Sequence, residues 1–128
     1  MTEYSLAWTL DARLPVVMVA NPAALAAALA TGPPAALLAE APTPTLPDSV
    51  VTLECFEPMP SHPAACKCCG GRPPVAVALD RLFQARVRGQ CPWFERVLAL
   101  ATTPAGQAAV AAALTGDAVT VARFRAAA

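Results

Sequence analysis

The stretch from Leu14 to Ala20 is apolar at every position and rich in valine, and it stops abruptly at Asn21-Pro22. A strand that alternates apolar and polar side chains has one face in solvent, whereas a run without polar members indicates a strand covered on both faces. Such strands are typical of parallel sheets that lie between layers of helices. Asn21 is a good N-cap and proline is favoured at the first helical position, so a helix is predicted to follow at once.

The same alternation of apolar run and helical segment continues along the chain. The predicted strands are Leu14–Ala20, Ala35–Ala41, Val50–Phe56, Phe94–Leu100 and Ala118–Phe124, and the predicted helices are Pro22–Thr31, Pro74–Arg88 and Pro104–Leu114. Consecutive parallel strands require right-handed crossovers, which place the helices on the two faces of the sheet. All 128 residues are therefore expected to form one three-layer α/β domain with a mainly parallel sheet of about five strands.

The segment before this sheet has a different pattern. Apolar side chains at Tyr4, Leu6, Trp8 and Leu10 alternate with smaller or polar ones. This period of two is typical of a strand with one apolar face. Tyr4–Leu10 is therefore a candidate extra strand at an edge of the sheet.

Charge and hydropathy argue against two classes of partner. Nine basic and nine acidic residues cancel, so no net field draws the protein to nucleic acid or anionic lipid. The uncharged stretch Leu14–Ala39 is long enough to span a bilayer, but prolines and a glycine divide it and alanine partitions weakly. Glu3 and Asp11 make the amino-terminal segment net negative, which disfavours a secretion signal. We expect a cytoplasmic protein that binds neither nucleic acid nor membrane.

Three of the five cysteines lie within four positions. Cys66, Cys68 and Cys69 belong to a stretch, residues 57–73, whose prolines and glycines predict an irregular loop. In a reducing compartment, clustered thiolates more often bind metal than form structural disulfides. Zinc and cuprous copper are the ions that such ligands prefer. The loop is therefore predicted to bind a soft metal ion, with zinc as the first choice.

Further ligands are available near this loop. Ligands of parallel sheets bind outside the carboxyl ends of the strands, where Glu40 and Cys55 are expected. His62 lies in the loop itself and is the one histidine of the chain. Cys91 precedes the fourth predicted strand and is expected at the opposite edge. Structural zinc needs four ligands, whereas cuprous copper accepts fewer. The candidate metal ligands are Cys66, Cys68, Cys69, Cys55, His62 and Glu40.

Three motifs together resemble the CobW-type GTPases, the metal-chaperone branch of the P-loop GTPases. These motifs are Cys66-Lys67-Cys68-Cys69-x-x-Arg72, Ala78-Leu79-x-x-Leu82-Phe83 and Phe94-Glu95-Arg96-Val97. In that family a Cys-x-Cys-Cys loop precedes a helix, and a strand that opens Phe-Asp-Arg-Val-Val follows. Arg13-Leu14-Pro15-Val16 is similar to the family's lead into its first strand, and Glu40 falls where a strand-end glutamate is expected. The resemblance implies a P-loop-GTPase-like fold and a role in metal handling.

The chain departs from that family at the nucleotide site. The family's phosphate loop is G-x-x-x-x-G-K-[ST], in which backbone amides and a lysine hold the phosphates and a hydroxyl holds magnesium. The corresponding stretch here is Asn21–Ala27, which contains no glycine, lysine, serine or threonine. The family's Glu-Thr-Ser-Gly segment is likewise replaced, by Leu100–Thr103. The resemblance thus implies a degenerate relative that lost the P-loop and neither binds nor hydrolyses GTP.

Three functions remain open. The first is a non-catalytic, nucleotide-independent domain that binds zinc or another soft metal, such as copper(I), in metal homeostasis or delivery. The second is a metal-free interaction module that pairs with a full-length GTPase, another protein or a second copy. The third is a thiol redox protein, although Cys-x-Cys-Cys lacks the two-residue gap of thioredoxin-like sites. Enzymatic activity is disfavoured, because no Ser-His-Asp constellation accompanies the single histidine.

Overall fold

The computed structural model describes residues 12–42, 49–58 and 72–127. The elements in chain order are β1 (Leu14–Val19), α1 (Pro22–Leu29), β2 (Ala35–Glu40), β3 (Val50–Phe56), α2 (Pro74–Val87), β4 (Arg96–Leu100), α3 (Pro104–Gly116), α4 (Ala118–Arg123) and β5 (Phe124–Ala127). Predicted features that lie outside the described residues are Tyr4–Leu10, His62, Cys66, Cys68 and Cys69.

The five strands form one sheet in the order β3-β2-β4-β1-β5, and every neighbouring pair is parallel. α1 packs on one face, where it connects β1 to β2. α2 and α3 pack on the other face, where the chain moves back across the sheet. Right-handed crossovers in opposite directions lie on opposite faces, so this doubly wound arrangement follows from the strand order. The predicted three-layer α/β domain is confirmed.

The core consists of two apolar layers that share the sheet. The larger layer joins α2 and α3 to side chains such as Leu38 and Val97. The smaller layer joins α1, through Leu25, to Leu37 and Leu98. All six residues of β2 are buried, as expected of a strand covered on both faces. Each fully buried leucine contributes about 1.5–3 kcal/mol through removal of its side chain from water.

The ends of α1 follow the signals in the sequence. Asn21 Oδ1 accepts a hydrogen bond from the Ala24 amide at 2.7 Å, which caps the first turn. Beyond the last turn, Gly32 adopts φ +91°, a conformation that favours glycine. Arg96 then donates to three carbonyls at the end of the helix and just beyond it. Its acceptors are Ala28 at 3.0 Å, Thr31 at 2.7 Å and Pro33 at 3.0 Å.

One predicted element is wrong. Ala118–Phe124 was expected to be the fifth strand, but Ala118–Arg123 is a helix and the strand runs from Phe124 to Ala127. Asp117 explains the difference, because its Oδ2 accepts hydrogen bonds from the Thr120 amide at 3.0 Å and hydroxyl at 2.9 Å. This N-cap overrides the strand preference of the β-branched residues around Thr120. The chain therefore has a fourth described helix before its last strand.

Candidate functional site at the carboxyl edge of the sheet

The predicted loop of cysteines begins at the carboxyl end of β3. There Cys55 is the register partner of Ala39, and Phe56 is the partner of Glu40. The Ala41 amide donates to the Phe56 carbonyl at 2.8 Å, which holds the two strand ends together. Glu40 and Cys55 thus lie at the same edge of the sheet, as their positions in the sequence predict.

The two side chains nevertheless lie on opposite faces of the sheet. Glu40 follows Leu38 by two residues and shares its face, on the side of α2 and α3. Cys55 follows Leu53 by two residues and shares its face, on the side of α1. A single ion could contact both only beyond the ends of the strands. Of the two, Cys55 is exposed and Glu40 is buried.

The Glu40 carboxylate is enclosed by hydrogen-bond donors at the start of α3. Its Oε1 accepts from the amides of Thr102 at 2.9 Å and Thr103 at 3.1 Å, and its Oε2 accepts from the Thr103 hydroxyl at 2.6 Å. The Thr103 hydroxyl in turn accepts from the Gly106 amide at 3.0 Å, as the N-cap of α3. A negative charge here also interacts favourably with the helix dipole. These contacts hold the Glu40 carboxylate against the start of α3.

Gly106 makes room for this carboxylate. A Cβ atom at Gly106 would lie 2.5 Å from Cδ of Glu40, closer than real Cβ atoms approach other heavy atoms. The glycine is therefore required by its neighbour and not by its backbone angles. Sequence reasoning placed Glu40 at the strand end but missed these partners. A threonine before proline, followed by a glycine at the third helical position, was the local signal for them.

The far end of the cysteine loop is fixed by an ion-pair network. Arg72 donates to Asp117 through Nε at 3.3 Å and Nη2 at 2.9 Å, and its Nη1 lies 3.9 Å from Asp80. Arg123 donates to the same Asp80. The hydrogen bonds from Arg72 hold the pKa of Asp117 below its ordinary value, and Asp117 raises the pKa of Arg72. The residue that ends the loop is thus tied to α2 and to the junction of α3 and α4.

The topological switch point of the sheet lies between β1 and β4. α1 leaves β1 on one face and α3 leaves β4 on the other, which in doubly wound sheets creates a crevice at the carboxyl ends. Only Ala20 and Asn21 separate β1 from α1. The first turns of both helices are capped by the protein's own side chains, Asn21 for α1 and Thr103 for α3. This is where P-loop proteins hold phosphate.

Cys91 lies at the other edge. It precedes β4 and packs, partly buried, against the larger core layer. Nearby, the Glu95 amide donates to the Pro34 carbonyl at 3.0 Å, where β4 and β2 both begin. The predicted separation of Cys91 from the carboxyl edge is confirmed.

Comparisons with known proteins leave the motif resemblance as a hypothesis. The chain matches no protein-family model, no curated protein and no solved structure. Among residues 12–42, 49–58 and 72–127, no three His, Cys, Asp or Glu side chains are grouped so as to hold a metal ion. In the same residues, no helix combines the length and apolar character needed to cross a membrane. Four of the predicted metal ligands lie outside these ranges, so the metal site stays a prediction.

Proposed function

We propose that this protein is a nucleotide-independent metal-binding domain that holds one zinc ion, or another soft metal ion, through Cys66, Cys68 and Cys69. The observation that carries the proposal is the exposed Cys55 at the end of β3, where the cysteine loop begins. The edge where this loop starts is also where doubly wound sheets bind their ligands. Three thiolates of the loop with Cys55 would complete the four-coordinate shell that structural zinc requires.

Cys55 and Glu40 differ in how readily each could serve as an additional metal ligand. Glu40 is 4% exposed and accepts three hydrogen bonds, all of which a metal ion would have to displace or share. Cys55 is exposed on an edge strand, so its thiolate can reach an ion without repacking of the core. We therefore favour Cys55 over Glu40, with His62 as the alternative fourth ligand.

Independence from nucleotide is part of the proposal. A P-loop uses several unoccupied backbone amides and a lysine to bind phosphates. Here the link between β1 and α1 has two residues, and Asn21 already bonds the Ala24 amide at 2.7 Å. We expect no saturable binding of GTP with magnesium in calorimetry at micromolar protein concentrations.

Metal analysis of reduced protein tests the function directly. Wild-type protein is expected to bind one zinc ion per chain, and chelation should increase the number of titratable thiols. Cys66→Ser combined with Cys68→Ser should abolish binding, whereas Cys91→Ser, at the opposite edge, is the matched control and should bind normally. Cys55→Ser should weaken zinc binding by at least tenfold, while Glu40→Gln should leave affinity unchanged. Full stoichiometry in the double variant would refute the proposal.

A metal-free interaction module is the second candidate. It is favoured by Trp93, whose side chain is 58% exposed although Arg86 stacks over its ring at 3.5 Å from the centroid. Exposed tryptophans are enriched at protein interfaces. If reduced wild-type protein binds neither zinc nor copper(I), this second function takes the place of the first. Labelled protein with Trp93→Ala would then identify whether the indole contributes to partner binding.

A further inference from the structure

An apolar groove lies between α3 and the neighbouring strands β1 and β5. Leu114 and Val110 line it from the helix, and Met18 and Ala126 line it from the strands. Its volume is about 150 Å³. Met18 is 38% exposed, so a large apolar side chain lines a groove that is open to solvent. An apolar segment can pack into such a groove.

The groove adjoins the outer edge of the sheet. β5 is the last strand in the order, and within the described residues nothing pairs with its outer side. It runs beside β1 from the pair Leu14 and Phe124 to the pair Val17 and Ala127. An edge strand presents unpaired N–H and C=O groups, which proteins usually cover or protect. An added strand with one apolar face would cover both the groove and the free edge of β5.

We propose that residues 2–10 of the same chain add to β5 as an antiparallel strand whose apolar side chains, Tyr4, Leu6, Trp8 and Leu10, lie on the side of α3, with Trp8 in the groove. The alternation of these apolar residues is that of a strand with one buried face. Val110 and Leu114 line the groove from α3, so it lies on the side of the sheet that α3 covers. One apolar stripe therefore fits one apolar groove.

The length of the linker between Leu10 and Leu14 determines where the added strand can lie and in which direction it runs. β1 starts at Leu14 beside Phe124, so a strand outside β5 is two strand spacings away, about 10 Å. The four steps from Leu10 to Leu14 span up to about 14 Å when extended, which is sufficient. A parallel strand would end at the opposite edge, about 13 Å further along β5, which the linker does not reach. The free side of β3 lies four strand spacings from β1, about 19 Å. To reach it, the linker would have to include about half of the alternating segment.

A buried donor on the other face of β5 supports the same arrangement. Arg125 Nε is buried and has no hydrogen-bond partner among the described residues. Arg125 is on the face opposite Phe124 and Ala126, because side chains alternate along a strand. An added strand with its apolar side chains on the side of the groove directs Thr9 to the face of Arg125 and places it beside Arg125 when Leu10 lies opposite Phe124. The Thr9 hydroxyl group is an acceptor of the kind that Nε lacks.

Fluorescence of Trp8 tests this proposal in the full chain. Trp93→Phe removes the other tryptophan at an exposed position and leaves Trp8 as the single reporter. We expect blue-shifted emission and an acrylamide quenching constant several-fold lower than in the denatured chain. Ala126→Glu, which puts a charge into the groove, should restore most of the quenching. Ala122→Glu, at an exposed position on α4 that does not line the groove, is the matched control and should change nothing.

Two results with the unsubstituted groove would overturn the inference. One is a Trp8 that is as accessible as in the denatured chain while circular dichroism shows a folded protein. The other is protection of Trp8 that disappears on dilution, since the groove would then hold the segment of a second copy. If Ala126→Glu does not fold, Thr115→Glu, at an exposed helical position in the same groove, takes its place. Unchanged protection in a folded groove variant also contradicts the proposal.

Discussion

The contact between Glu40 and Gly106 gives the sharpest test of the structure. Glu40→Ala removes three accepted hydrogen bonds, two of them from amides at the start of α3. Hydrogen bonds to a charged acceptor contribute about 1.5–3 kcal/mol each, but water can reach the exposed Thr102 and Thr103 after the substitution. We therefore expect a loss of about 2–4 kcal/mol in the free energy of unfolding, which is below the sum of the three.

Gly106→Ala should also destabilise the protein, for a different reason. The new methyl group would lie 2.5 Å from Cδ of Glu40, and relief of such overpacking costs about 1–3 kcal/mol. In the Glu40→Ala background this collision no longer exists. Gly106→Ala should then leave the free energy of unfolding unchanged, or raise it by up to about 1 kcal/mol because alanine has the higher helix propensity. The two substitutions are thus expected to couple by about 2 kcal/mol.

Urea denaturation of the four proteins in this cycle measures the coupling. Gly116→Ala is the matched control, because a Cβ there meets nothing within 4 Å and the residue lies in the same helix. Its effect should stay within about 0.5 kcal/mol in either background. If the effects of Glu40→Ala and Gly106→Ala add within about 0.5 kcal/mol, the described packing of the carboxylate against the helix is wrong.

Two other predictions concern ionic contacts. Asp117→Asn keeps an N-cap but removes the ion pair with Arg72, and should cost about 1 kcal/mol at pH 7. Because the pKa of Asp117 in the folded protein is depressed, its contribution to the free energy of unfolding is present above about pH 4 and is lost as pH falls towards the folded pKa. The urea midpoints of the variant and the wild type should therefore converge at low pH. A constant difference down to about pH 2 would contradict this. Arg96→Met should cost about 1–2 kcal/mol through the carbonyls at the end of α1, whereas Arg81→Met, a 63% exposed control, should cost under about 0.5 kcal/mol. Equal effects in thermal unfolding would exclude a capping role for Arg96.

Local patterns sufficed to predict most of the fold. The strand Val50–Phe56 and the first residues of α1, α2 and α3 were predicted from apolar runs and from prolines at the first helical position. These signals act within a few residues, so they can be read from the chain itself. The segment Ala118–Phe124 was wrongly predicted as a strand, because its β-branched residues favour a strand and outweighed the signal of the N-cap residue Asp117. Its capping residue is also held by Arg72, 45 positions earlier.

The environment of Glu40 shows why the site was harder to predict than the fold. Its place at the end of β2 followed from the strand pattern, and this was correct. Its partners, however, lie 62 and 63 positions later in the chain and meet it only because β4 inserts between β2 and β1. No periodicity in the sequence encodes that insertion. A carboxylate at a strand end therefore has the same sequence signature whether it binds a metal ion or caps a helix.

The two caps at the switch point also bear on where a ligand can bind. In P-loop proteins the helix amides at this point carry the binding energy for phosphate. Here Asn21 accepts from one amide of α1, that of Ala24, and Thr103 accepts from one amide of α3, that of Gly106. The metal binding that we propose for the carboxyl edge therefore relies on side chains and not on these two amides. The exposed Cys55 is such a side chain, so variants of Cys55 should change ligand affinity, whereas variants of the caps should change stability.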